Sequence, residues 1–494
     1  MNRIGLKNRS GPRSIALACV LLAIVGCDSL LEVNLPAAVT SDALDNPGVA
    51  GVLLNSIMAN VECGYSTFVF DASGQEDNYQ SSTGVAGNYP QYTPVAGGGS
   101  CDTNPYSQSW IDAFLVARGQ GYVVYDQING YEDVDVPDKA ELLAQTAFYL
   151  AVVLDIFGEH FCEFAIDGGP LLSNQATLDI ANSWVDSVFT NITRAGGDFA
   201  VTTGAGTHGT SLMHMANGLR ARILWAGRDL AGGAASAALV PDAYVGWVLR
   251  EGGEKRRNIT SSAQGGGGGT QAAGFVQGPV QLDNSARSYW ITELGSHPVT
   301  GVAWPSPVPF TGYLDLATDS EGRAVDNGGY PLTTAGATPA SVTDVVGALT
   351  VDPRIKLKIG NTAGGDDNII QKYTDLSDDI PLISWREMRL IQAEAAGASA
   401  AGTAFVNAVR AADGVGLLSG AYLTLVQTNA DRFDDMLIEE RRRALWLEGR
   451  FWATKILKNE KLWFPRGVGD FVNPAQIRSF EGGVRQLLQN DEYE

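Results

Sequence analysis

Residues 137–158, PDKAELLAQTAFYLAVVLDIFG, place Leu143, Ala147, Leu150, Leu154 and Phe157 on one side of a helix. Apolar residues recurring at this spacing need a partner surface to bury them. Pro137 suits the first turn, where its missing N–H has no intrahelical acceptor to lose, and Gly158 is expected to close the helix. Four other stretches read the same way: Ser41 to Val61, Ser107 to Ile128, Thr177 to Ala195 and Ser211 to Ala231. In the last, Leu212, Ala216, Leu219, Ile223, Ala226 and Leu230 form the stripe. Gly, Pro and Asn-rich connections join these helices, so consecutive members are expected to pack as antiparallel pairs. The pattern predicts a mainly α fold, with a helix-pair scaffold over residues 41–250. No internal repeat is strong enough to identify a tetratricopeptide array by itself.

After residue 250 the character changes. From Arg256 to Asp379 the chain is rich in Gly, Pro, Thr and Asn, with GGGGG at 265–269 and WPSPVPF at 304–310. Only short apolar runs such as RIKLKIG read as strands. No Gly-Lys-Ser/Thr follows the glycine run, which excludes a phosphate loop. An irregular region of this length (251–380) in a folded chain points to function. Tyr289, Trp290, Trp304, Phe310 and Tyr313 fall within twenty-five residues that show no helical period. Pro305, Pro307 and Pro309 stiffen the chain around Trp304, so an exposed ring there would lose little entropy on binding. Trp290, Trp304 and Tyr313 are therefore candidate ligand-stacking residues; the other reading is that they cap the core.

Helical spacing returns over residues 381–494. ISWREMRLIQAEAAG (383–397) places Met388, Ile391 and Ala395 on one face, and FVNAVRAADGVG (405–416) ends in a glycine stop. Asp431 to Lys458 is expected to form one helix, including IEERRRALWLEGRFW (438–452) with seven charges in fifteen residues. The expected arrangement is a solvated charged face beside a core face of Leu437, Ala444, Leu447 and Phe451. Glu439 with Arg443, and Trp446 with Arg450, stand four apart and would support such a helix. Glu440, Arg441, Arg442 and Glu448 are accordingly expected to be structural, either solvated or paired under a neighbouring segment.

The N-terminus carries Arg3, Lys7, Arg9 and Arg13 ahead of an apolar run from Ser14 to Gly26. This is the layout of a secretory signal, and about thirteen residues are too few for a bilayer that needs roughly twenty. No later segment reads as a membrane span. Ile24-Val25-Gly26-Cys27 is similar to a bacterial lipobox, which makes residues 1–26 the signal and Cys27 the lipidated first residue of a single domain, 27–494. Losing four basic residues leaves 30 Lys and Arg against 55 Asp and Glu, a net charge of −25. So acidic a surface argues against nucleic acid or an anionic membrane face as partner. Cys63, Cys101 and Cys162 then sit in an oxidising compartment and allow one disulfide among them. A zinc site at Cys162 with His160, Glu159 and Glu163 lacks a second cluster to complete it. No metal or cofactor is expected. The four histidines form no recognisable triad or metal motif, so no catalytic residue stands out. The acidic residues are numerous enough that a carboxylate pair can always be imagined. A surface glycoside hydrolase or polysaccharide lyase is thus one alternative reading, and a helix-pair protein-binding scaffold another.

Several landmarks in order resemble the RagB/SusD-like nutrient-binding outer-membrane lipoproteins of Gram-negative bacteria. The lipobox is followed by the acidic and apolar CDSLLEVNLP, and AFYLAVVLDIFGE stands where that family has a tyrosine-rich helix ending in glycine. DPRIKLKI precedes PLISWREMRLIQAEA, FVNAVRA parallels an Ile-Asn-x-Val-Arg element, and IEERRRALWLEGRFW parallels the family's Glu-Arg-Arg motif. Ala444 replaces the usual second glutamate of that motif. The resemblance implies a SusD-like fold in which tetratricopeptide-type helix pairs adjoin a loop-rich half with a few short strands. It implies a lipid-anchored protein of the outer membrane, facing the exterior. There it would capture oligosaccharides or peptides for a TonB-dependent, SusC-like transporter, without catalysis.

Overall fold

The structure is a computed structural model describing residues 44–75, 109–252, 256–261, 354, 357–362, 365–370, 372–415, 417–418 and 420–458. The chain divides into two units, residues 1–49 and 50–494. In the first, the described residues form a 3-10 turn at Pro47–Val49 after a short lead-in. The second holds every element below.

Helices α1 (Ala50–Gln75), α2 (Ser109–Gly130), α3 (Lys139–His160), α4 (Asn174–Arg194), α5 (Leu212–Ala226) and α6 (Leu230–Ala237) pack each against the next. Hairpins β1–β2 (Glu163–Ala165, Leu171–Ser173) and β3–β4 (Val201–Thr203, Gly206–Gly209) connect the middle helices. β5 (Val245–Val248) leaves this half and pairs antiparallel with the distant β8 (Ile380–Ser384), while β6 (Leu357–Thr362) and β7 (Gly365–Ile370) form a hairpin. The C-terminal helices are α7 (Trp385–Ala396), α8 (Ala400–Ala412), α9 (Gly420–Thr428), α10 (Ala430–Ala444) and α11 (Phe451–Leu457). Serines start several of them: the side chains of Ser173, Ser211, Ser384 and Ser399 accept hydrogen bonds from otherwise unmatched N–H groups of the first turn.

α3 is the centre of the helical half. Its residues are buried from Leu142 to His160 without interruption, and α1, α2, α4 and α5 all pack on it. By length and composition this helix is apolar enough to cross a membrane, contrary to the expectation that no segment would be. Burial on every side accounts for that apolarity, since a helix surrounded by others has no face left for polar residues. Gly158 does not close it. The helix continues to His160, and a Cβ on Gly158 would lie 2.7 Å from the side chain of Leu178 on α4. The glycine lets two helices approach.

Three expected helices have other bounds; the one expected over Ser211 to Ala231 ends at Ala226, and Asp229 caps a second helix that starts at Leu230. α1 begins after Pro47 and runs to Gln75 rather than ending at Val61, because Tyr65, Phe68 and Val69 extend its buried face. Gly64 within it is another contact glycine, with the Phe114 ring 2.8 Å from where a Cβ would stand. The expected helix 431–458 is broken between α10 and α11. Leu447 (φ 58°) and Gly449 (φ 69°) adopt left-handed backbone there. A Cβ on Gly449 would sit 3.1 Å from Phe68 and 3.2 Å from the Val69 backbone of α1, so this turn presses directly on the helical half.

The charged face of α10 is not solvated. Glu440, Arg441, Arg442 and Arg443 are no more than 2% exposed, and the neighbouring apolar cluster joins Leu390, Val406, Val409, Phe433, Met436 and Leu437 from α7, α8 and α10 with Leu445 just after α10. These four, with Glu448 and Arg450, lie buried between elements.

Candidate functional site

Burying these charges requires partners, and they come from far along the chain. Arg450 donates from Nη1 and Nη2 to both oxygens of Glu159 on α3, at 2.7 Å each, and from Nε to Glu387 on α7 at 2.9 Å. Arg222 on α5 donates to the same Glu387, at 2.6 and 3.2 Å. Burial alone would raise the Glu387 carboxyl, but Arg222 and Arg450 hold it down to about 2. Glu394, one helical stretch on, accepts from Trp225 Nε1 at 2.6 Å and pairs with Lys458 at 2.9 Å. Burial would raise it too, yet Lys458 and Arg441 keep it near 2. Asp155 is the exception. Fully buried, it accepts no hydrogen bond among the described residues, and Arg222 Nη1 lies 3.9 Å away. Burial, and then Glu159 beside it, push its carboxyl well above the usual carboxylate range.

This network fixes one wall of a cavity. Arg222 Nη2 donates to the carbonyl of Leu382 at 2.7 Å, the residue that β8 skips in its register against β5, where Gly246 faces Ile383 but Trp247 faces Pro381. Such a bulge re-aims neighbouring side chains. Trp247 and Pro381 line a cavity of about 530 Å³.

The remaining walls come from the 372–379 segment, the start of α7, the end of α8, the end of α10 and the broken turn after it. Lys372 Nζ donates to Glu448 at 2.7 Å and to the Trp446 carbonyl at 2.5 Å, while Tyr373 donates to the Leu447 carbonyl at 3.1 Å. These bonds hold the irregular turn from the cavity side. Arg386 grips one oxygen of Asp413, Oδ1, at 2.5 and 2.7 Å; the other, Oδ2, accepts nothing among the described residues although it is buried. Burial would lower the Arg386 guanidinium, but Asp413 raises it. Arg354 donates to Glu440 at 2.6 Å. Asp378 accepts from the backbone of Thr374 and Asp375, and Asp379 from Arg250 N at 2.7 Å. The result is a hollow of ordinary ligand size. One half-buried indole and a set of paired charges line it.

Trp290, Trp304 and Tyr313, the sequence candidates for stacking, lie outside the described residues, as do Cys27 and Cys101. Cys63 is disulfide-bonded and Cys162 is a half-buried thiol. Two of the four residues considered for zinc are engaged elsewhere: Glu159 with Arg450, and His160 through Nδ1 with the Ile156 carbonyl at 2.8 Å. No group of three metal-binding side chains occurs among the described residues. His208 pairs with Glu62 at 2.6 Å beside a smaller hollow of about 350 Å³. Glu448, expected to be purely structural, lines the cavity. Trp247, Arg386 and Asp413 escaped the sequence reading; the one available signal was a tryptophan inside the short apolar run VGWV.

No protein-family model and no curated protein matches the sequence. Solved structures do. A SusD-like protein from Bacteroides fragilis superposes with a TM-score of 0.50 at 12% identity, covering 85% of this chain and 88% of that one. A SusD-like carbohydrate-binding protein from Bacteroides vulgatus (12% identity, 85% and 86% covered) and a laminarin-binding SusD-like protein (14%, 88% and 95%) each give 0.49. The chain has the mainly α SusD-like fold that its motifs imply.

Proposed function

We propose that this SusD-like fold serves nutrient capture: an exported lipoprotein, anchored through Cys27 to the outer membrane and facing the exterior, that binds oligosaccharides and hands them to a TonB-dependent, SusC-like transporter. The observation that carries the reading is the 530 Å³ cavity, where the half-buried Trp247 stands among fixed polar groups. Sugars present an apolar ring face and a rim of hydroxyls, and a site needs just those two complements. The lipobox at Cys27 supports the anchoring, and the net negative charge suits a body held away from anionic surfaces. Binding without catalysis is the expected mode. The carboxylates Asp378, Asp379 and Glu448 are held by backbone N–H groups or by Lys372.

The test is affinity purification from solubilised envelopes of the native host, comparing wild type with Cys27→Ser. Wild type should fractionate with outer membranes and bring a TonB-dependent transporter with it, and Cys27→Ser should lose membrane retention. Unchanged retention of Cys27→Ser, or recovery of wild type with no transporter, would contradict the proposal.

A further inference from the structure

We infer that the smaller hollow, of about 350 Å³, is a hydrolytic site for a small acyl ester, with Thr203 as nucleophile and His208 as its base. It shares no lining residue with the larger cavity, so the inference stands apart from glycan capture. What carries it is a line of three side chains on one wall. Thr203 Oγ1 lies 2.9 Å from His208 Nε2, and His208 Nδ1 lies 2.6 Å from Glu62 Oε1. They come from separate elements: Thr203 ends β3, His208 is on β4 and Glu62 on α1. A hydroxyl against an imidazole, with the imidazole against a carboxylate, is the arrangement that activates an oxygen nucleophile.

Burial separates the roles. His208 and Glu62 are 1% and 2% exposed, while Thr203 is half-buried beside the β3–β4 turn and lines the hollow. The Ala205 N–H donates to the Thr203 hydroxyl oxygen at 3.2 Å, which leaves the hydroxyl's own proton for Nε2. Glu62 beside Nδ1 favours the imidazole proton there and so keeps the Nε2 lone pair for the hydroxyl. The Nδ1–Oε1 approach is close without being aligned as a hydrogen bond, and such bonds tighten when substrate binds. Arg256 donates to the other Glu62 oxygen at 2.9 Å, which fixes the carboxylate's orientation.

In the reaction, Thr203 Oγ1 bonds to the ester carbonyl carbon while its proton passes to Nε2. Asn55 and Arg256, on the same lining, carry N–H groups for the oxyanion so formed. The bond to the leaving alcohol then breaks, and that oxygen takes the proton from Nε2. Water repeats the exchange on the threonine ester, releasing the carboxylic acid and restoring Thr203. Glu62 is a positioning residue throughout. Only an ester is cut, so a glycan carrying it keeps its chain length.

The experiment measures p-nitrophenyl acetate hydrolysis by the purified protein, with mass spectrometry of acid-quenched samples and a melting temperature for each variant. Wild type should turn over saturably and hold an acetyl group on the peptide that contains Thr203. Thr203→Val, which keeps the branched shape, should lose about a hundred-fold or more in rate, and Thr203→Ser should keep the activity. Glu62→Gln should lower kcat about a hundred-fold with KM unchanged. Should Glu62→Gln fail to fold, the two Thr203 variants decide the question. No hydrolysis above buffer, or hydrolysis that survives Thr203→Val in folded protein, would overturn the inference and leave the nutrient-binding reading standing.

Discussion

Arg450 and Glu159 stand 291 positions apart and meet in a two-pronged ion pair, both hydrogen bonds 2.7 Å long, with each side chain 2% exposed or less. The planar guanidinium matches the two carboxylate oxygens, which fixes orientation as well as distance. Because Arg450 follows the left-handed turn at Leu447 and Gly449, the pair joins the broken end of α10 to the centre of the helical half. Removing the arginine strands Glu159 in the core. Arg450→Met should therefore lower unfolding stability by about 3–5 kcal/mol in denaturant titrations. A loss below about 1 kcal/mol would mean that the pair contributes orientation without stability.

Gly449 can be tested separately. Its left-handed φ and its 3.1 Å approach to Phe68 both oppose a Cβ. Gly449→Ala should cost about 1–3 kcal/mol, the range for strained backbone, and should reduce protection of α1 amides in hydrogen exchange. Wild-type stability in this variant would show that the turn relaxes.

Acid should loosen the same network. Unfolded, Glu387 and Glu394 titrate near 4.5; folded, both are held near 2. The unfolded chain thus binds more protons between these values, so the pairs contribute fully above pH 4.5 and the contribution disappears as pH falls towards 2. Urea midpoints measured at pH 6, 4 and 3 should fall through that window, with a shallower slope for Glu387→Gln. Parallel slopes would remove Glu387 as a source.

Asp155 has the opposite sign. Its ordinary value is 3.8 and the folded protein raises it well above that, so the opposition to folding grows as pH rises above 3.8. Asp155→Asn is neutral in both states. Its melting temperature relative to wild type should climb between pH 4 and pH 8. A difference independent of pH would mean that Asp155 is ionised in the core.

The helical half could be read from spacing alone, since Leu143, Ala147, Leu150 and Leu154 recur every three to four residues and α3 lies where they place it. Its glycines misled, because close approach of helices at Gly158 leaves no local mark. The charges of 438–452 were the harder case. Helical spacing shows which side chains share a face, but not whether that face meets water or Glu159 and Glu387, whose own surroundings look ordinary in sequence. Trp247 reaches the cavity only through the pairing of β5 with β8 and the bulge at Leu382. A register shift between distant strands is set by tertiary packing, not by local residue pattern.

The proposed role is to bind glycans at the cell surface and leave them intact. It is tested most directly by titrating purified protein with a panel of oligosaccharides and sizing each sugar by mass spectrometry after prolonged incubation. Saturable binding of at least one oligosaccharide, with its chain length unchanged, is the expected result. Shortened products would make the protein an enzyme, and absence of binding across the panel would contradict glycan capture.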